Sequence, residues 1–203
     1  MSQTITAGDV KALRDRTGAG MMDCKEALAE AGGDLDRAVE ILRVKGAASA
    51  AKRAERGTGE GTVASYIHAT GRIGTMVEVQ CETDFVARND DFAEFARDVA
   101  LHIAAAAPEY VAAEEIPAER VEAERKVLLE AARESGKPDN VIEKIVEGQL
   151  AKWREAIVLL EQEHVNADKH ESKTIEQLRA ELAAKTGENV RISRFARFAV
   201  GEE

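Results

Sequence analysis

The hydrophobic period of this chain switches from two to 3.6 across one short stretch, and that switch limits what the middle of the chain can become. Ile73, Thr75, Val77 and Val79 alternate with other residues, as in a strand with one face inward. Phe92, Phe95, Ala96, Val99 and Ile103 recur at helical spacing over Asp90–Ala107. The nonapeptide Cys81-Glu82-Thr83-Asp84-Phe85-Val86-Ala87-Arg88-Asn89 lies between the two patterns. A turn between a strand and a helix holds side chains in fixed directions close to solvent. Two readings of its acid–aromatic pair are open. Phe85 caps the core and Asp84 ends the strand, or the two are presented outward for use.

Upstream, Thr4–Gly46 is divided by its own punctuation. Thr6 or Gly8 can cap a first helix carrying Val10 and Leu13, which ends before Thr17-Gly18-Ala19-Gly20. Asp23 is expected to cap a second helix with Ala27 and Leu28 inward. Gly32-Gly33 breaks it, and Asp34 caps a third helix with Leu35, Ala38, Val39, Ile41 and Leu42. Three short helices of this size make a small bundle with a minimal core, resembling docking modules of the ubiquitin-associated (UBA) type. Met21 and Met22 cannot both enter so small a core. At least one is expected on the surface as an adaptable apolar contact. Gly57-Thr58-Gly59-Glu60-Gly61 marks a linker or domain boundary, and the linker is set at 47–61. The basic, alanine-rich Gly46–Arg56 run before it reads as a solvated helix face in preference to a phosphate-facing surface.

Downstream, Val63, Ser65 and Ile67 alternate before a tight turn at Thr70-Gly71-Arg72, a hairpin signature with the 73–82 strand. His68 stands at that turn without a Ser, Cys or second His beside it in sequence, and reads as a polar contact. From Ala118 to Glu155 the pattern is amphipathic helix, interrupted once at Ser135-Gly136-Lys137-Pro138, so two arms fold back as an antiparallel helical hairpin. Ile157–Leu160 reads as a short strand, Glu161–Ser172 as a polar loop and Thr174–Lys185 as a helix. The last strand, Asn189–Val200, has apolar residues on both faces. It is expected to be covered by helix on one side and by another chain or domain on the other.

The expected class is therefore α+β: a three-helix bundle over 1–46, a linker over 47–61, and a core over 62–203. That core combines an antiparallel sheet of about three strands with helices, the helical hairpin 118–156 and the final strand 189–200. Net charge is −10, which argues against general nucleic-acid binding, because phosphate neutralisation needs a basic surface. No apolar run approaches the ~20 residues of a membrane span, and no secretory pattern opens the chain. Cys24 and Cys81 lie far apart, and packed free thiols fit a reducing cytoplasm. No nucleotide-binding loop, nucleophile–base pattern or metal-ligand cluster is found, so neither cofactor nor metal is expected. Hydrolysis would have to rest on Asp84, His68 and Glu82.

Two long motifs then resemble one family. Leu13-Arg14-Asp15-Arg16-Thr17-Gly18-Ala19-Gly20-Met21-Met22-Asp23-Cys24-Lys25 is similar to the N-terminal signature of bacterial elongation factor Ts, and Cys81–Asn89 to its second signature. Ser135-Gly136-Lys137-Pro138 and Arg194-Phe195-Ala196-Arg197-Phe198 extend the resemblance over essentially the whole chain. The resemblance implies guanine-nucleotide exchange on elongation factor Tu, against the alternatives of a non-catalytic helical adaptor or a small hydrolase. It implies that Thr83, Asp84, Phe85 and Val86 intrude near the partner's nucleotide and displace its Mg²⁺. Arg14, Met21 and Met22 would touch the partner's G domain, with His68 a further contact. Many members carry two core subdomains and this chain has room for one. The resemblance therefore implies a homodimer, with the Phe195/Phe198 strand a candidate seam and no cysteine there to link it.

Overall fold

The computed structural model describes residues 5–134 and 138–202. The chain divides into two compact units. One holds the chain up to Thr62 with Val79–Phe95 and Gln177–Arg191; the other holds Val63–Glu78, Ala96–Glu176 and the chain from Ile192 on.

The first unit opens with three helices, α1 (Ala7–Thr17), α2 (Met21–Glu30) and α3 (Leu35–Arg53). Thr6 caps α1 in a reciprocal box, its hydroxyl accepting from Asp9 N while the Asp9 carboxylate accepts from Thr6 N. Helix α1 ends at Gly18, whose φ of 68° lets its N–H return to Arg14 O at 2.7 Å. Val10, Leu13, Cys24, Ala27, Leu28 and Ala38 form the bundle core. Two expectations need correction. Helix α2 starts at Met21 behind Gly20, so Asp23 sits in the first turn, where its charge suits the helix dipole, rather than at the cap. The linker set at 47–61 starts later, because its basic run continues α3 as far as Arg53, in keeping with the helix-face reading of that run. Its alanines favour helix, and Gly46 lies close to Ala184, where a Cβ would sit 3.5 Å from the Ala184 methyl. Arg53 also donates to Ala183 O at 3.4 Å, so packing holds this extension.

The strands are β1 (Glu60–Ile67), β2 (Ile73–Cys81) and β3 (Arg191–Ala199), in the antiparallel order β1-β2-β3. The β1–β2 hairpin closes with His68 N donating to Ile73 O. Helix α5 (Asp90–Ala106) covers one sheet face: Thr75 Oγ1 donates to Ala100 O at 2.8 Å and Arg197 Nε to Ala104 O at 3.3 Å. The opposite face is open, with Val63, Ile67, Met76, Phe198 and Val200 exposed. Phe195 and Phe198 therefore face opposite ways, and only Phe198 is on the open side.

Helices α6 (Ala118–Arg133) and α7 (Asp139–Ile157) form the hairpin. Its antiparallel sense follows from its contacts. Val121 packs with Trp153 and Ile157, while Leu128, Leu129 and Ala132 pack with Ile142 and Val146. Arg125 pairs with Glu147 between the arms. The connection at residues 135–137 lies outside the described residues. The inward stripe of α6 runs through Leu128, Leu129 and Ala132, leaving Val127 and Ala131 exposed. Ile157–Leu160 is not a strand: α7 ends there, a single bridge joins Val158 to Tyr110, and a 3₁₀ turn covers Leu159–Glu161. The polar loop after it contains a short helix, α8 (Ala167–His170), and a buried His164. Helix α9 (Ile175–Thr186) then leads to β3. No described helix is long and apolar enough to cross a membrane.

Candidate functional site

Strand β2 gives way to a single helical turn, α4 (Asp84–Ala87). Thr83 is its N-cap, extended in backbone, with its hydroxyl accepting from Val86 N. The neighbours anchor the turn from beneath. Val86 is buried, and the buried Cys81 thiol donates to Thr83 O at 3.2 Å. Burial pushes that thiol up to about 11, with the Glu188 carboxylate adding to the effect, so Cys81 stays a neutral donor. Asn89 accepts from Asp91 N at 2.8 Å and starts α5 directly after the turn.

With Val86 inside, Phe85 is directed outward and is 83% exposed. It does not cap the core, which removes the first of the two readings of this stretch. Asp84 stands beside it and pairs with Arg88, one turn on, at 3.3 Å. An exposed pair of this kind contributes roughly 0.3–0.5 kcal/mol and gives way easily to a stronger partner. The turn thus offers an aromatic ring and a loosely engaged carboxylate on a backbone tied at both ends.

In the same unit, Met21 and Met22 open α2 at 48% and 65% exposure, so both rather than one lie largely outside the bundle core. The Arg14 side chain is exposed, while its carbonyl closes α1. The Gly18 loop is supported by Lys185 of α9, whose stem comes within 3.3 Å of where a Gly18 Cβ would stand. The Lys185 ammonium reaches Asp91 Oδ2 at 2.6 Å, in the first turn of α5. The loop bearing the methionines and the segment after the Phe85 turn therefore share one tether. His68 belongs to the second unit, exposed at the hairpin end, with Tyr66 OH 3.3 Å from its Nδ1. Among the described residues, no group of three or more His, Cys, Asp or Glu is placed to hold a metal ion.

Two residues that matter here carried no local signal. Glu188 accepts from Glu82 N and Thr83 N at the start of the Phe85 turn, and Lys185 ties the Gly18 loop to Asp91. Both lie far along the chain from what they hold and read in sequence as ordinary surface charges. Their roles depend on α9 returning beside β2.

The family model for elongation factor Ts matches residues 36–202. The chain belongs to the elongation factor Ts family. The elongation factor Ts of Geobacter sulfurreducens is 55% identical over 199 residues, covering 98% of this chain and 91% of that protein. The Carboxydothermus hydrogenoformans protein of the same name is 55% identical over 198 residues, covering 98% and 90%. That of Heliobacterium modesticaldum is 50% identical over 198 residues, covering 98% and 91%. The Thr83–Val86 turn and its Glu188 support fall inside the matched segment, and Arg14 and the two methionines precede it.

Proposed function

We propose that this member of the elongation factor Ts family is a guanine-nucleotide exchange factor. It binds elongation factor Tu, displaces the bound Mg²⁺ and promotes release of GDP so that GTP can enter. The observation that carries the mechanism is the outward Phe85 on a braced turn. Mg²⁺ bridges nucleotide phosphates and keeps several waters, so it is sensitive to small displacements of the groups that order them. Phe85 enters between packed side chains of the partner. Asp84, released from Arg88, competes for the polar groups around the metal waters.

Burying the exposed part of one Phe contributes roughly 1–2.5 kcal/mol. Each tenfold in release rate needs about 1.4 kcal/mol off the barrier. Phe85 accordingly supplies about one to two decades, and the rest comes from Arg14, Met21, Met22 and His68 holding the partner open, while Thr83 and the buried Val86 serve by fixing the turn. Methionine side chains suit such contacts because they adapt to a moving surface. Coupling is reciprocal: a factor that weakens nucleotide binding is itself weakened by nucleotide, so GTP or GDP releases it and nothing is consumed.

In this reading residues up to 46 are a UBA-type docking domain, and 62–203 are the core. The open sheet face, with Val63, Ile67, Met76, Phe198 and Val200 exposed, supports a homodimer in which a second copy covers it. The free thiols of Cys24 and Cys81 support action in the cytoplasm, and the net charge of −10 supports a protein partner without direct nucleic-acid or anionic-membrane contact.

Stopped-flow release of labelled GDP from elongation factor Tu tests the reading. Catalytic amounts of the chain should accelerate release, and Phe85→Ala should slow it by about ten- to fiftyfold without lowering the melting temperature. Unchanged release in the presence of the intact chain would leave the helical-adaptor reading standing instead.

A further inference from the structure

Glu188 lies in the turn between α9 and β3, and its carboxylate is spent on the backbone that presents Phe85. Its Oε2 accepts from both Glu82 N and Thr83 N at 3.0 Å, and its Oε1 accepts the Thr83 hydroxyl at 2.6 Å. The contact is reciprocated: Glu82 Oε1 accepts from Asn189 N at 2.6 Å and from Arg56 at 3.4 Å. Asn189 in turn donates through Nδ2 to Ala54 O and Arg56 O, at 3.3 and 2.9 Å. Two acidic residues 106 positions apart, Glu82 and Glu188, each accept from the other's segment and thus close a clasp across two backbones.

The clasp fixes the direction of the Thr83 hydroxyl. Because that O–H is donated to Glu188, its lone pair is turned toward Val86 N and starts the helical turn. Remove the carboxylate and two part-buried N–H groups lose their acceptor while the cap loses its orientation. Val86 and Cys81 still anchor the ends, so the fold survives, but the ring between them is no longer aimed.

We propose that Glu188 is a positioning residue for exchange, acting through Thr83 to hold Phe85 in its outward, partner-ready direction. The proposal rests on Phe85 being the displacing contact, as argued above. Glu188 touches neither partner nor nucleotide in this scheme.

The test is a double-mutant cycle in the full-length chain, read by release of labelled GDP from elongation factor Tu. Glu188→Ala should lower kcat for exchange by about tenfold, with KM, set by the methionine loop, moving less. In the Phe85→Ala background the same substitution should add nothing, because the group it aims is gone. Glu188→Gln should restore most of the rate. Its amide oxygen accepts both N–H groups, and its NH₂ donates to the Thr83 oxygen. Hydrogen exchange at the Glu82 and Thr83 amides should quicken in the Ala variant and return in the Gln variant.

Three outcomes overturn the assignment, each recognisable. If Glu188→Ala leaves kcat within twofold while Phe85→Ala slows it, Glu188 does not position the ring. If Glu188→Ala slows release equally in both backgrounds, it acts on folding alone. If Phe85→Ala has no effect, the wedge reading itself fails and the positioning role falls with it.

Discussion

Lowering the pH should unlatch the second unit at one buried imidazole, His102. The ring is fully enclosed on α5, and both nitrogens are committed. Nδ1 accepts from Val165 N at 3.2 Å, so Nε2 carries the proton and donates to Gln162 Oε1 at 2.9 Å. The Gln162 amide cannot turn to offer its NH₂, because that group donates to Ala156 O at 2.8 Å. A second proton on His102 would face the Val165 N–H donor to donor. Burial pushes the imidazole down to about 4 against the hydrogen bond to Gln162, and His164, its ring 5.3 Å away, lowers it further. His170, edge-on to His164 with ring centroids 4.2 Å apart, is also lowered, first by burial and then by His164 and Lys169, against the pull of Asp98. Its Nε2 lies 3.1 Å from Asp98 Oδ2, which also takes Lys169 Nζ at 2.7 Å.

The sign follows from proton binding. The unfolded chain protonates His102 near its ordinary value of about 6.5, while the folded chain resists until about 4. Stability is therefore complete above about pH 6.5, falls as pH drops through the window, and levels off below about 4. At about 1.4 kcal/mol per pH unit the whole window is worth roughly 3 kcal/mol, and about 2 of it is gone by pH 5. The assay is urea unfolding followed by circular dichroism at pH 7, 6 and 5, on the intact chain and on His102→Gln. Gln keeps one acceptor and one donor but does not titrate, so subtracting its pH dependence removes the carboxylates and His170. A difference of about 2 kcal/mol between pH 7 and pH 5 is expected. Equal slopes in the two proteins would refute the argument, as would an NMR titration placing the His102 proton above pH 6.

Gly61→Ala should destabilise the hairpin, because a Cβ there would meet Val79 O at 2.3 Å and Gln80 Cα at 2.9 Å, both backbone atoms that cannot turn aside. A loss of about 1–3 kcal/mol is expected, a fall of several degrees in thermal melting. Met22→Ser should raise the Kd for elongation factor Tu about tenfold, as one apolar contact is lost, while melting stays within a degree; titration calorimetry and melting together check it. Phe198→Asp should leave the chain folded but monomeric by analytical ultracentrifugation, since a charge on the open sheet face would have to be desolvated against a second copy. A dimer persisting in that variant would place the seam elsewhere.

Much of this molecule is written in its local patterns. The switch from period two to helical spacing located β2, the turn and α5, because alternation and 3.6-residue recurrence are properties of neighbouring residues. Thr6, Gly18 and Asp34 marked helix ends for the same reason: caps act over three or four residues. Sequence also ruled that Met21 and Met22 could not both be buried, a matter of core volume alone.

What tertiary structure decided depends on segments meeting across long separations. Where α3 gives way to the linker turned on α9 lying against Gly46 and Arg53. Ile157–Leu160 missed being a strand because one bridge to Tyr110 was all the ladder its surroundings offered. At Asp84-Phe85 the nonapeptide alone allowed a ring turned in or out. Packing of Val86 and the Cys81 thiol beneath the turn decided for outward, and Glu188, 105 residues from Thr83, supplied the acceptors that hold it there. A carboxylate's hydrogen-bonding capacity can be read from its letter, but its partners are set only when the chain has folded back.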